Sequence, residues 1–249
     1  MQTSFAVAEE PESPAWDFIR DRLFTEEREI LRDETLTLFT PKRAENAAVV
    51  PVRIQANLEQ SEKLFIKKIY LIVDNNPSPV AGVFTMSKLN GLASLSTRIR
   101  VNAYSHVRAI AETSDGKLHM AVNYVKASGG CSAPAAGGDE EALKRRGKMK
   151  LREKRQANLT EMQLMISHPN NSGLQIDQLS RNWIPADYVS DIKISLGGQE
   201  VLLFTGGISM SENPSFGFFL KSGEAGDLQA EVKDSQGRHF SQSWSVPLK

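Results

Sequence analysis

Alternation of apolar and polar residues runs through most of the chain and predicts a protein built almost wholly from β-strands. In the first half, alternating runs bounded by turn residues predict strands at 35–39, 49–54, 64–74, 80–86, 94–102, 106–113 and 117–125. Asp115-Gly116, between the last two runs, is typical of a tight hairpin. Short strands with regularly spaced turns predict an antiparallel sandwich of the immunoglobulin type.

The second half repeats this kind of pattern without repeating the sequence. Its alternating runs predict strands at 162–167, 188–196, 200–205, 216–221, 228–233 and 239–246. Gly197-Gly198 and Ser235-Gln236-Gly237 separate neighbouring runs in the way that hairpin turns do. The fold class is therefore all-β, with two immunoglobulin-like β-sandwich domains.

One short helix precedes the strands. Ser13-Pro14 is a helix start signal, with Ser as N-cap and Pro at the first helical position. Trp16, Ile19 and Leu23 follow at helical spacing, with charged residues between them. The pattern predicts an amphipathic helix lying on a sheet.

The turn-rich, charged stretch between the two patterns predicts a flexible linker. We divide the chain into a disordered leader (1–12), a first domain (13–130), a linker (131–158) and a second domain (159–249). Basic residues crowd the second half of the linker; they are Lys144, Arg145, Arg146, Lys148, Lys150, Arg152, Lys154 and Arg155. Two interpretations remain open, a solvated helix or coil that joins the domains and a cationic collar near Cys131. The run lacks interleaved aromatic residues, which disfavours nucleic-acid binding.

Charge and hydropathy exclude several classes of protein. Lys plus Arg and Asp plus Glu both number 30, so no global charge indicates a nucleic-acid partner. No apolar run reaches the ~18 residues of a membrane helix. Ala6-Val7-Ala8 has the small-x-small form that precedes signal-peptide cleavage, without the basic and apolar regions of a full signal. We therefore expect an exported protein whose signal peptide is absent or truncated in this chain.

Cys131 is the only cysteine of the chain, and Gly129 and Gly130 precede it directly. Glycine permits unusual backbone angles, so Ser128, Gly129, Gly130 and Ser132 predict a flexible arm that displays the sulfur outside the folded domain. The thiol is either incidental or a covalent attachment point. Because an exposed free thiol oxidises or cross-links readily, the pattern favours the attachment point.

Other chemistry has no local signature. The four histidines (His106, His119, His168 and His239) lie too far apart in sequence to indicate a metal site. The stretch 74–77 (DNNP) reads better as a structured turn than as a cation site. Phosphate-binding loops, dinucleotide fingerprints and paired catalytic carboxylates do not occur. We assign no catalytic, cofactor-binding or metal-binding residue and expect a protein that is not an enzyme.

Several stretches together resemble a known pair of proteins. The first domain is similar to SoxY, the carrier subunit of the thiosulfate-oxidising Sox system, and the second is similar to its partner SoxZ. The likeness lies in 41–51 (PKRAENAAVVP), 74–79 (DNNPSP), 97–101 (TRIRV) and 126–131 (KASGGC), and then in 166–169 (ISHP), 213–214 (NP) and 226–227 (GD). The order of the two parts resembles the fused SoxYZ carriers associated with quinoprotein dehydrogenases.

The resemblance implies a periplasmic carrier that holds a thiosulfate- or sulfide-derived adduct on Cys131 and presents it to partner enzymes. The implied partners are redox or sulfur-transfer enzymes, among them a quinoprotein dehydrogenase or a c-type cytochrome, and the two domains pair with each other. The chain departs from SoxY in having Ser132 and a further domain after the cysteine, where SoxY ends in a Gly-rich tip. The alternative is an interaction module that supports a quinoprotein (PQQ) dehydrogenase without using its thiol.

Overall fold

The computed structural model describes residues 13–24, 28–134, 143–156 and 158–247. Within them, strands predominate and one helix, α1 (Pro14–Leu23), precedes the first strand. The strands of the first domain are β1 (Ile30–Leu31), β2 (Leu36–Phe39), β3 (Val50–Ala56), β4 (Ile66–Val73), β5 (Val80–Met86), β6 (Leu95–Ile99), β7 (Ser105–Thr113) and β8 (Leu118–Val125).

Those of the second domain are β9 (Met149–Arg155), β10 (Leu159–Ile166), β11 (Gln175–Ile176), β12 (Trp183–Ile184), β13 (Val189–Leu196), β14 (Gln199–Gly206), β15 (Ser215–Lys221), β16 (Gly226–Asp234) and β17 (His239–Val246). The predicted all-β class with a short N-terminal helix is confirmed.

Two large sheets run through both domains. One has the strand order β1-β8-β7-β4-β5-β14-β13-β16-β17, and the other has the order β2-β3-β6-β15-β10-β9. Strands β11 and β12 form a small separate hairpin. A single cluster of buried apolar side chains draws on both large sheets and on both domains. The two sandwiches therefore share one hydrophobic core.

The domains meet edge to edge, in agreement with the pairing that the resemblance implies, although the strands that pair were not predicted. Strand β5 pairs antiparallel with β14, in a register that places Met86 opposite Leu202 and Gly82 opposite Gly206. In the other sheet Ser96 of β6 pairs with Gly217 of β15. A Cβ atom on Gly217 would lie 2.1 Å from the Ser96 hydroxyl, so glycine is what permits this approach.

Three phenylalanine rings fill the core at this junction. Phe204 of the second domain lies 5.1 Å from Phe84 of the first domain and 4.8 Å from Phe216, measured between ring centroids. All three side chains are buried. Separations of this size are typical of tilted aromatic packing, which adds to the burial of apolar surface. The junction is thus held by core contacts as well as by strand pairing.

Helix α1 packs on the nine-stranded sheet as the sequence predicts. Ile19 and the following Phe24 are buried in a small cluster with Ile72 and Ile110. The helix begins at Pro14, but Ser13 makes no side-chain capping bond. Its hydroxyl donates instead to the carboxylate of the buried Asp74. Ser13 therefore occupies the predicted N-cap position without capping the helix through its side chain. That bond ties the start of the helix to the first domain.

The prediction of a linker over 131–158 is wrong for residues 149–155, which form β9. This strand lies at the edge of the six-stranded sheet, with Met149 buried and most of the following side chains exposed. Charged side chains on an edge strand discourage further strand pairing, which accounts for the basic composition.

The leader 1–12 and residues 135–142 lie outside the described residues. Among the helices of the described part, none combines the length and apolar character that crossing a membrane requires.

Candidate functional site: the buried cysteine between the domains

Cys131 is buried, and its residue has 0% of its surface exposed. This contradicts the prediction of a sulfur displayed on a free tip. Ser128 and Ser132 of the predicted arm are exposed, whereas Gly130 is buried beside the cysteine. The segment 126–134 therefore lies against the protein, with only part of its length facing solvent.

Backbone hydrogen bonds hold the segment to the first domain. Lys126 N–H donates to the carbonyl of Lys42 over 2.9 Å. Farther along, Gly129 N–H donates to the carbonyl of Asn102 over 2.8 Å, and Gly130 N–H donates to that of Val101 over 3.1 Å. These bonds continue beyond the end of β8 and guide the chain toward Cys131.

The two glycines before the cysteine have structural roles that differ from the predicted flexibility. Gly129 has a φ of +76°, in the left-handed region that side chains disfavour. Gly130 passes so close to neighbouring backbone that a Cβ atom on it would lie 2.1 Å from the Ala47 carbonyl oxygen and 2.6 Å from that of Val101. Any side chain at Gly130 would push the segment out of its seat.

The second domain closes the site from the other side. The Ser172 hydroxyl donates to the carbonyl of Cys131, and the Gln175 side-chain amide donates to the carbonyl of Ala133 over 2.9 Å. Ser172 and Gln175 are themselves buried, and Ser172 N–H donates to the Gln175 side-chain oxygen over 3.0 Å. Ser172 and Gln175, which lies at the start of β11, therefore form a cap over the cysteine segment.

Arg100 links the cysteine segment to both domains. Its side chain is fully buried and donates through Nη1 to the carbonyl of Gly130 over 3.0 Å and through Nη2 to that of Asn170 over 3.1 Å. Burial raises the pKa of the Cys131 thiol, because desolvation disfavours the thiolate, and the positive charge of Arg100 opposes that rise. Burial likewise lowers the pKa of Arg100, against the opposing negative charges of Cys131 and Glu212.

Side chains of the stretch 74–79 hold the backbone of Arg100 in place through hydrogen bonds. The Asn76 side-chain amide donates to the carbonyl of Arg100 over 2.8 Å and to the Ser209 hydroxyl over 2.9 Å. Asp74 binds Arg108 through two side-chain nitrogens, at 2.9 Å and 2.7 Å. The interpretation of this stretch as a structured turn is confirmed, and the turn lies at the domain junction because Ser209 belongs to the second domain.

Family comparisons identify the two halves of the chain. Residues 20–131 match the model of the sulfur oxidation protein SoxY, and residues 149–245 match that of the sulphur oxidation protein SoxZ. The chain is a fusion of a SoxY domain and a SoxZ domain. The predicted resemblance is confirmed over most of the sequence, and Cys131 is the last residue of the SoxY match.

Solved structures give weaker likeness. The sulfur carrier protein SoxY from Chlorobium limicola f thiosulfatophilum is 23% identical, over 45% of this chain and 89% of that one, with a TM-score of 0.35. A superoxide reductase (neelaredoxin) from Ignicoccus hospitalis is 14% identical over 37% and 79%, with a TM-score of 0.33. A β-glycosidase from Bacteroides vulgatus is 11% identical over 85% and 24%, with a TM-score of 0.27. Similarities of this size carry no functional information. No curated protein sequence matches the chain.

A buried ionic network in the SoxZ domain supports the cap. Asn170 N–H donates to His168 Nδ1 over 3.1 Å, and His168 Nε2 lies 3.4 Å from an oxygen of Asp234 and 3.5 Å from one of Asp187. An Nδ1 that accepts a hydrogen bond belongs to a neutral imidazole with its proton on Nε2. Burial lowers the pKa of His168, in opposition to the two carboxylates.

The same three side chains are the metal-ligand candidates of the described residues. The ligand atoms of His168, Asp187 and Asp234 lie within 4.8 Å of one another. Arg238 already donates to both carboxylates, and Arg146 lies 3.1 Å from Asp187. Because two guanidinium groups already compensate the carboxylates, the cluster fits an internal salt-bridge network better than a cation site.

Sequence reasoning found Cys131 but missed the residues that enclose it. Asn170, Ser172 and Gln175 lie close together in sequence but about 40 residues after Cys131, and Arg100 lies about 30 residues before it. The pairing of the two domains brings them together at the cysteine. One signal was present, because Arg100 lies in the stretch 97–101 (TRIRV), which carries part of the likeness to SoxY. Among the described groups, the positive charge that acts on Cys131 is that of Arg100, which favours the solvated-segment interpretation of the basic run over the collar.

Proposed function

We propose that this SoxYZ fusion is a periplasmic carrier whose Cys131 holds a thiosulfate- or sulfide-derived group as a covalent adduct and presents it to partner enzymes. The observation that carries the proposal is the SoxY match, which ends at the one cysteine of the chain. A thiolate is a strong nucleophile and forms disulfide-type bonds to sulfur atoms. The chain acts as the carrier, and its partners carry out the catalysis.

Loading with thiosulfate has a simple electron balance. The Cys131 thiolate and the terminal sulfur of thiosulfate join in one S–S bond, and two electrons leave the pair. The product is a cysteine S-thiosulfonate with one negative charge, and a redox partner such as a c-type cytochrome takes up the electrons. Sulfide loads Cys131 in the same way, as a persulfide, with loss of a proton and two electrons.

Burial requires that Cys131 leave its seat before a partner reaches it. Release breaks the hydrogen bonds from Ser172 to Cys131 and from Gln175 to Ala133. It also breaks the bonds that Gly129 and Gly130 make to the first domain and the bond from Arg100 to Gly130, while the segment stays attached to β8. The six residues from Lys126 to Cys131 extend about 20 Å at most, at ~3.3–3.6 Å per residue. The reach is sufficient to place the thiol in the site of a docked partner. In the closed state the same burial shields a labile adduct from water.

Replacing Cys131 by serine in cells that oxidise thiosulfate tests the proposal. We expect Cys131→Ser to abolish thiosulfate consumption at an unchanged level of folded protein, because serine forms no S–S bond. Ser132→Cys in the Cys131→Ser background moves the thiol by one residue, to an exposed position, and serves as the positional control. Unchanged consumption by Cys131→Ser would overturn the carrier function and favour a module that supports a quinoprotein dehydrogenase without using its thiol.

A further inference from the structure

Two buried N–H donors beside the cysteine segment have no hydrogen-bond partner in the described part of the chain. They are Nε of Arg100 and the side-chain Nδ2 of Asn170, and both residues are fully buried. Arg100 donates to the carbonyl of Gly130, next to Cys131, and to the carbonyl of Asn170. The unused donors therefore belong to two residues that contact each other at the cysteine.

Such donors are rare in folded proteins. A buried polar group without a partner destabilises the folded state, and more so when it is charged, so nearly all such groups find a partner. The two terminal nitrogens of Arg100 already donate to carbonyls from both domains. Nε is the side-chain nitrogen of Arg100 that still lacks an acceptor. Acceptor oxygens or a sulfur anion at these nitrogens would supply the hydrogen-bond partners that they lack.

The adduct proposed above carries acceptors of this kind. A thiosulfonate ends in a negatively charged sulfonate, and a persulfide ionises to a sulfur anion, so each presents acceptors next to the Cys131 sulfur. Arginine binds such groups through charge-assisted hydrogen bonds, which are stronger in a buried site than in water. Among the described groups, Cys131 and Glu212 act as negative charges on Arg100, and Arg100 is the positive charge that acts on Cys131.

We propose that Arg100 of the SoxY domain and Asn170 of the SoxZ domain form an anion-binding pocket for the negatively charged end of the group on Cys131. The inference rests on the proposed carrier function and assigns the adduct to a chemical class, an anionic sulfur group. It also gives the domain junction a role, since each domain supplies one of the two donors. Arg100 is a positioning residue that keeps the adduct in the closed site.

Tetrathionate loads the thiol chemically and so allows a test on the full chain without any partner. The Cys131 thiolate attacks an inner sulfur of tetrathionate, an S–S bond forms, and thiosulfate leaves with the electron pair of the broken S–S bond. The product is the same cysteine S-thiosulfonate, and intact-protein mass spectrometry follows its loss with time. The thiolate absorbance of the unloaded protein gives the titration midpoint of Cys131.

Four variants distinguish the loss of the anion-binding pocket from a general disturbance of the fold. Arg100→Gln removes the charge, Arg100→Lys keeps it, and Asn170→Asp keeps the acceptor to Val189 while it replaces the amide donor by a carboxylate. Asp also tolerates the positive φ of 45° at position 170. Arg98→Gln removes an equal charge two residues away, where the side chain donates to Asn213 instead.

We expect Arg100→Gln and Asn170→Asp each to shorten the lifetime of the adduct about tenfold or more, and Arg98→Gln to leave it unchanged. Arg100→Gln should also raise the Cys131 midpoint, because it removes the positive charge that favours the thiolate, and Arg100→Lys should restore most of that change. Equal lifetimes in wild type, Arg100→Gln and Asn170→Asp would overturn the pocket. Because the loading is chemical, that result would leave the function of Cys131 in cells to be decided by the Cys131→Ser experiment.

Discussion

The hydroxyl of Ser172 donates a hydrogen bond to the carbonyl of Cys131, and this bond crosses from the SoxZ domain to the SoxY domain. Each partner is buried, so the bond exists only while the segment 126–134 is seated. The closed state of the cysteine is therefore a joint product of both domains. A chain that fuses the two domains keeps the cap within reach of the cysteine segment, so the segment can return to its closed position.

Loss of the Ser172 hydroxyl should open the site. Ser172→Ala removes a hydrogen bond worth about 1 kcal/mol, which corresponds to an about fivefold larger open population. The rate at which a thiol reagent labels Cys131 should rise by that factor while the circular dichroism spectrum stays the same. Ser190→Ala, which also removes a donor to a backbone carbonyl, is the control and should label at the wild-type rate. An unchanged rate in Ser172→Ala would show that the cap does not hold the segment.

A side chain at position 130 should prevent closure altogether. Gly130→Ala places a Cβ atom against the carbonyl oxygens of Ala47 and Val101, so the segment cannot return to its seat. We expect thiol labelling close to the rate of an exposed cysteine in a protein that stays folded. Gly223→Ala, at a turn glycine whose added Cβ meets nothing within 4 Å, should keep the slow labelling of the wild type. Slow labelling of Gly130→Ala would contradict the observed seat.

His168 should make stability depend on pH. Its pKa in the folded protein is lowered below the ordinary value near 6.5, because burial outweighs Asp187 and Asp234, and Arg146 adds to the lowering. Below pH 6.5 the unfolded chain binds a proton that the folded chain does not. The free energy of unfolding should then fall as the pH drops, by at most about 1.4 kcal/mol per unit for this one group.

Urea unfolding between pH 7.5 and 5.5 measures that slope. His168→Gln should flatten the slope, and His239→Gln, at an exposed histidine, should preserve it. If His168→Gln keeps the wild-type slope, His168 is not the group that takes up the proton.

The shared core should make the two domains unfold together. Phe204→Ala removes a ring that packs on both Phe84 and Phe216, and comparable core truncations cost about 3–5 kcal/mol. We expect one cooperative transition, shifted to lower urea, with the same midpoint for probes placed in either domain. Phe18→Ala, at an exposed helix position, should change stability by less than about 0.5 kcal/mol. Two separate transitions would mean that the domains fold independently.

Most of the strands could be predicted from the sequence, because a strand with one buried face shows a period-two alternation of apolar and polar residues. The predicted runs 80–86 and 239–246 coincide with β5 and β17, and Asp115-Gly116 does join β7 to β8. Strand β9 was missed, since an edge strand buries little and only Met149 is fully buried among its residues. Its basic side chains therefore looked like a linker.

The closed cysteine was beyond sequence reasoning for a different reason. From the sequence alone, Gly129-Gly130 predicts a flexible backbone. In the folded protein, however, the backbone of Ala47 and Val101 lies so close to Gly130 that only glycine fits at this position. The cap comes from Ser172 and Gln175, which lie more than 40 residues later and reach Cys131 through the pairing of β5 with β14. Contacts of this kind depend on tertiary structure and leave no periodic signal.

Intact-protein mass spectrometry of the chain, purified without reductant from cells grown on thiosulfate, tests the carrier function most directly. The account predicts a fraction of wild-type molecules heavier by one sulfur-containing group, an increase that a reductant removes and that Cys131→Ser never shows. The size of the increase names the cargo. The contradicting result is a wild-type protein from thiosulfate-oxidising cells whose mass equals that of the unmodified sequence, as the mass of Cys131→Ser does. Cys131 would then not be the carrier.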